Sequence, residues 1–119
     1  MLKRENRLRA KQDFGRVRQA GNRWRSDLFS LSVIAHQTGP TRFGFVVSKQ
    51  VAPQASARNR LKRQMRAIVH GVLARMAPGF DCVFVARSAC AAVGYRQLAV
   101  EMVKLLVKAG LLTQQIEMP

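Results

Sequence analysis

Leu61, Met65, Ile68, Val69, Val72, Leu73 and Met76 recur at helical spacing, and a short apolar run stands on either side of them. That spacing predicts an amphipathic helix with one face committed to a core. The flanking runs, Arg42 to Ser48 (RFGFVVS) and Asp81 to Arg87 (DCVFVAR), read as strands. Upstream, Leu28 to Ala35 alternates, with Phe29, Leu31 and Val33 on one side and Ser30 and Ser32 on the other, a half-buried strand. Gln12 to Ala20 reads as a short helix stopped at Gly21, and Tyr95, Leu98, Ala99, Met102, Leu105 and Leu106 as a last amphipathic helix closed by Gly110. The predicted order is α-β-β-α-β-α. It implies an α/β (α+β) two-layer sandwich, a small central sheet with helices packed on it.

The connections carry their own signals. Thr38-Gly39-Pro40 predicts a turn, Val51 to Ala57 a loop containing Pro53, and Pro78-Gly79 a helix stop. Ser56 is the expected cap of the long helix. Arg42 to Ser48 is apolar on both faces and is expected to be a central strand. Gly44 inside it marks a bulge or the close approach of another chain. Residues 1–11 are expected to form an extended basic arm and residues 111–119 a C-terminal tail, within a single domain over 1–119.

Charge is the next constraint. The 119 residues hold 21 Lys and Arg against 6 Asp and Glu, a formal net charge of +15. Such a charge repels itself in a small domain, so a polyanionic partner is expected. Arg outnumbers Lys 15 to 6. The planar guanidinium grips phosphate bidentately and stacks on bases, which favours nucleic acid over an anionic membrane surface. From Leu28 to Phe80 there is no acid and there are eight basic residues, whereas Ser88 to Pro119 is nearly balanced. The partner is therefore expected on the first two thirds and packing in the last. The longest uncharged stretch, Leu28 to Thr41, is too short and too polar to span a bilayer. No apolar run follows the N-terminal charges, so no secretory signal is expected.

The densest signal is Arg58-Asn59-Arg60-Leu61-Lys62-Arg63-Gln64-Met65-Arg66, with five cations in nine residues and no acid. On a helix Arg58, Lys62 and Arg66 form an i, i+4, i+8 basic stripe, with Arg63 and Asn59 beside it and Arg60 on the flank. Like charges at i, i+4 weaken a helix by a few tenths of a kcal/mol each. Nothing local compensates, so a phosphate backbone is the natural counter-charge. Asn59 can hydrogen-bond a phosphate, a 2′-hydroxyl or a base edge.

Aromatics among cations can stack unpaired bases. Phe29, Phe45 and Phe84 fit a core. Phe14, on a short polar helix, is expected to be partly exposed, while Trp24 between Arg23 and Arg25 either stacks a base or anchors a strand. Catalytic patterns are missing. The acids are scattered, neither His36 nor His70 has a partner at ligand spacing, and Cys82 and Cys90 form no C-x-x-C pair. Cys82 reads as a core residue, which suits a reducing cytoplasm. The chain reads as a binder without a self-sufficient active site. Readings open at this level are a structural RNA-binding protein, a nuclease in its own right and, last, a helix-turn-helix DNA binder.

Arg42-Phe43-Gly44-Phe45-Val46-Val47-Ser48-Lys49, followed after a short loop by Ala57-Arg58-Asn59-Arg60-Leu61-Lys62-Arg63-Gln64-Met65-Arg66, resembles the bacterial ribonuclease P protein component. Asp13-Phe14 with Val17 and Gly21, the Asp81 to Arg87 run and the terminal helix follow in the family's order, so the resemblance covers roughly residues 4–110. It implies a fold similar to a ribosomal-protein domain, with a left-handed β-α-β crossover where general topology rules favour the right-handed form. It implies a cytoplasmic ribonucleoprotein endonuclease in which a catalytic RNA, holding the Mg²⁺, removes the 5′ leader of precursor tRNA. No Mg²⁺ is expected on this chain alone, and no membrane or DNA partner. Arg58, Asn59, Arg60, Lys62, Arg63 and Arg66 would face RNA. Phe14, Ser32 and Lys49 would line a leader cleft between the first helix and the sheet. Because Arg18 and Ser32 stand where relatives can carry aromatics, charge from Arg16 or Arg18 is expected to take a larger share of leader binding.

Overall fold

The computed structural model describes residues 2–36 and 39–112. The elements are α1 (Lys11–Ala20), β1 (Asn22–Arg25), β2 (Phe29–Ala35), β3 (Arg42–Val46), α2 (Ala55–Val72), β4 (Phe80–Ala86) and α3 (Tyr95–Lys108), with short 3-10 turns at Arg4–Asn6, Leu73–Arg75 and Ser88–Ala92. Four strands form one sheet in the order β1-β2-β4-β3. β1, β2 and β4 pair antiparallel, and β3 lies parallel to β4, joined to it through α2. The mixed α/β sandwich is as expected, with one strand added.

The added strand, β1, is Asn-Arg-Trp-Arg and has no apolar alternation to betray it. It exists because Trp24 pairs across from Leu31 and packs, half-buried, against the main core. Trp24 therefore anchors an edge strand. β3 is likewise at an edge, correcting the central position expected for it; β4 is central. Both faces of β3 are nonetheless covered. Phe43 and Phe45 point into the main core, and Gly44 lies under the ring of Phe14. Its outer edge is closed by the N-terminal segment, where the Leu8 amide donates to the Phe43 carbonyl at 2.9 Å and Asn6 Nδ2 to the Thr41 carbonyl at 3.0 Å. The expected N-terminal arm is thus docked, with Leu2 and Leu8 buried, because an open strand edge leaves backbone donors and acceptors unpaired.

Strand alternation splits the interior in two. Phe29, Leu31, Phe43, Phe45, Cys82 and Phe84 face α2 and α3, with the Phe84 ring among those of Phe29, Phe43 and Phe45 at centroid distances of 5.9–6.4 Å. On the opposite face Val17 of α1 and Leu8 pack on Val83, bordered by half-buried Phe14, Ile34, Val46 and Val85. α3 ends in a Schellman motif. The Gly110 amide bonds the Val107 carbonyl and the Leu111 amide the Leu106 carbonyl, both at 3.0 Å, with Gly110 at φ +80°. That reversal drives Leu111 and Leu112 into the core, so the tail expected from residue 111 starts later; residues 113–119 lie outside the described residues. Thr38 of the expected turn does too, while Gly39 carries a left-handed φ of +94°. No helix among the described residues is long and apolar enough to cross a membrane.

Candidate nucleic-acid interface

α2 begins without help. Gln54 is its N-cap residue and makes no side-chain cap bond; Ser56, the expected cap, lies inside the first turn. The first turn has no acid, and the cations crowd the half of the helix where the macrodipole is positive. The helix is held by its buried face, Leu61, Met65, Ile68 and Val69. Each residue turns about 100° from the last. Lys62 and Arg66, which directly follow Leu61 and Met65, therefore lie on the flank, half-buried, with Arg58. The outward ridge is Asn59 and Arg63, with Arg60 exposed on the other flank.

The stripe read from the sequence thus separates into two roles. Arg58 donates from Nη1 to the Ala52 carbonyl at 3.0 Å and the Pro53 carbonyl at 2.8 Å, tying the loop onto the helix start. Asn59, Arg60 and Arg63 are exposed, and among the described residues none of the α2 cations forms an ion pair within the chain. His70 is exposed on the same helix.

On the other face of the sheet the structure brings Phe14 onto β3, where a Cβ at position 44 would overlap its ring. Arg18, one helical turn further along α1, is exposed, and Lys49 is exposed just beyond the end of β3. Phe14 and Arg18 thus lie on the α1 side of the sheet, with Lys49 exposed beyond the end of β3. Two predicted residues do not stand free there. Ser32 is 1% exposed, paired in register with Val83 on the face that α1 covers, which corrects its assignment as a cleft contact. Arg16 is bound within the fold, its Nη2 donating to Asp81 Oδ2 at 2.7 Å.

Asp81 is the residue that sequence reasoning passed over. It is fully buried in β4, yet it accepts from Arg16, from Arg42 Nε at 2.8 Å and from Arg42 Nη2 at 2.7 Å; His36 Nε2 is 3.4 Å away. Burial pushes its carboxyl up, but the hydrogen bonds from Arg42 and Arg16 outweigh burial and hold it below the usual carboxylate range. The Arg42 guanidinium is raised in turn, first by its bond to Asp81. The only available signal was a lone acid at a strand start. Asp81 thereby fixes two arginines at the end of the sheet beside Arg4, Arg7 and Arg9, which line a pocket of about 460 Å³ with Arg42.

Among the described residues no three His, Cys, Asp or Glu side chains come together as metal ligands, and the best-placed carboxylate is filled by guanidinium donors. These residues do not fit a Mg²⁺ site. Burial pushes the Cys82 thiol up and the Cys90 thiol up to about 11, so both are unreactive core groups.

Comparison with known proteins gives a consistent answer. The family described as Ribonuclease P matches residues 2–110. The chain is 35% identical to the ribonuclease P protein component of a Cyanothece species, covering 94% of this chain and 98% of that one. It is 37% identical to its counterpart in a Pseudanabaena species, over 94% and 97%. Its fold is similar to the ribonuclease P protein of Thermotoga maritima (TM-score 0.78, 25% identity, 86% of this chain and 96% of that one). It is also similar to that of Staphylococcus aureus (TM-score 0.80, 21% identity, 98% and 99%).

Proposed function

The chain belongs to the ribonuclease P protein family, and from that premise we propose a division of labour between the two faces of its sheet. It is the protein subunit of ribonuclease P, the endonuclease of tRNA 5′ maturation, and it works with an RNA subunit that carries catalysis. The outward ridge of α2 holds that RNA through Arg60, Arg63 and Asn59, with Lys62 and Arg66 reaching it from the flank. The α1 side takes the single-stranded 5′ leader of precursor tRNA, with Phe14 as an apolar contact and Arg18 and Lys49 supplying charge. Mg²⁺ resides with the RNA. The protein works in the cytoplasm, without a membrane or DNA partner.

The observation that carries this reading is the acid-free α2 surface, whose charges oppose both one another and the helix dipole. A phosphate backbone supplies what the fold lacks. Binding one RNA and one leader lets the protein screen repulsion between two polyanions and position the substrate. The deciding experiment is cleavage of precursor tRNA by a bacterial catalytic RNA at low Mg²⁺, with and without this protein. Leader-dependent stimulation is expected, with no cleavage by the protein alone. Tight RNA binding without stimulation would instead indicate a structural RNA-binding protein.

Three substitutions test the division between the faces. Arg63→Ala is expected to weaken assembly with the catalytic RNA several-fold and to lower the salt slope of binding by about 1, measured by filter binding. Arg58→Ala is expected to act mainly on melting temperature, because its guanidinium is engaged with the loop. On the other face, Gly44→Ala displaces the Phe14 ring. The ring can swing aside, so the stability loss is expected near ~1 kcal/mol, the low end for overpacking. Discrimination between precursor tRNA with and without a leader is expected to shrink. Unchanged discrimination would remove Phe14 from the leader site.

A further inference from the structure

We propose that the groove between α2 and the segment leading into α3 seats an unpaired nucleotide of the catalytic RNA, with Tyr95 as its stacking face. This rests on the functional reading above and adds a site to it. The groove is about 900 Å³, within the range of small-molecule sites (about 300–1,000 Å³). Its floor is apolar, from Leu61 and Cys90. One wall carries Arg60, Arg63 and Gln64, the other Val93, Gly94 and Tyr95.

Three independent features select a nucleotide as occupant. Tyr95, 46% exposed, is the large apolar side chain left in solvent among the described residues, and its ring offers a face to any base. No acid lines the groove, and Arg60 and Arg63 continue into it from the outward surface of α2. At the start of α3, Gly94 makes no side-chain cap bond, the first turn holds no acid, and a Cβ at position 94 would meet only open space. A phosphate oxygen can therefore approach the free amides of that turn beside exposed Arg96. The groove combines an apolar slot, a π surface and a cationic rim. An apolar peptide would leave the arginines unsatisfied, whereas a nucleotide uses all three.

The location identifies the source. The groove opens on the side of the sheet that α2 and α3 cover, away from Phe14 and α1. Its occupant therefore belongs to the RNA gripped by α2 rather than to the leader.

The test measures affinity for catalytic RNA alone. Tyr95→Ala is expected to weaken binding roughly 5- to 150-fold, and Tyr95→Phe to stay within about twofold, because stacking needs only the ring. Melting curves of both variants check that the fold is intact. In a second measurement, with catalytic RNA and precursor tRNA both present, a photo-crosslinking benzophenone amino acid at position 95 is expected to label an unpaired nucleotide of the catalytic RNA. Wild-type binding by Tyr95→Ala, or a crosslink confined to paired nucleotides or to the leader, would overturn the proposal while leaving the α2 interface standing. Failure of the wild-type protein to bind the RNA at all would overturn the functional reading itself.

Discussion

Between about 50 and 200 mM monovalent salt, affinity of this protein for the catalytic RNA is expected to fall roughly 300- to 4,000-fold. The expectation follows from charge that the fold leaves unbalanced. Of the six acids, Asp81 is consumed by Arg16 and Arg42, and Glu101 lies 3.7 Å from Lys104 on α3. Among the described residues no acid forms an ion pair with α2, where Arg60 and Arg63 stand exposed. Contact with some five to eight phosphates gives a slope of log K against log salt near −4 to −6, because each neutralised phosphate releases condensed counterions. Filter binding over that salt range measures it directly. A slope shallower than about −2 would mean that most of the basic surface never meets the RNA.

Asp81→Ala is expected to cost about 2–3 kcal/mol, a large share of the stability of an ordinary domain. Removing the carboxylate leaves two guanidinium groups facing one another at the sheet end, with a buried cavity between them. Desolvation makes such a pair a modest net stabiliser, and the loss stays below that for a fully buried pair because the Arg16 and Arg42 side chains left behind are 42% and 35% exposed and can take up water. Urea unfolding at pH 7 gives the loss. The sign of the pH dependence follows from the lowered carboxyl. An unfolded Asp titrates near about 3.9, so the contribution is fully present above that pH. It drains as pH falls through the folded value, because the unfolded chain takes up the proton first. The stability gap between the wild type and Asp81→Asn is therefore expected to narrow below about pH 4. A gap that stays constant down to about pH 2 would show that the ion cluster does not stabilise the fold.

The long helix shows why some elements could be read in advance. Its apolar residues repeat at 3.6-residue spacing, and its cations fall outside that repeat. Both facts belong to neighbouring residues, and burial of Leu61, Met65, Ile68 and Val69 matches them. The same local logic expected Phe14 to be partly exposed, and it is half-buried, with its ring over Gly44. It erred where the outcome depended on a distant segment. Ser32 looked like a polar strand face, but α1 closes over it. Arg58 looked like part of a binding stripe, but it bonds loop carbonyls five and six residues earlier. β1 and the edge position of β3 exist only through pairing partners.

The sequence by itself determined the helices, three of the four strands, the basic segment Arg58 to Arg66 and the absence of any clustered catalytic pattern, because each is written in spacing and charge along the chain. Only the tertiary structure decided which cations remain available to RNA. Arg16 meets Asp81 across 65 residues and Arg42 meets it across 39, and both contacts require β3 beside β4 with α1 laid over the sheet. Charge is a local property of a residue, but neutralisation is a property of whatever the fold places within about 3 Å of it.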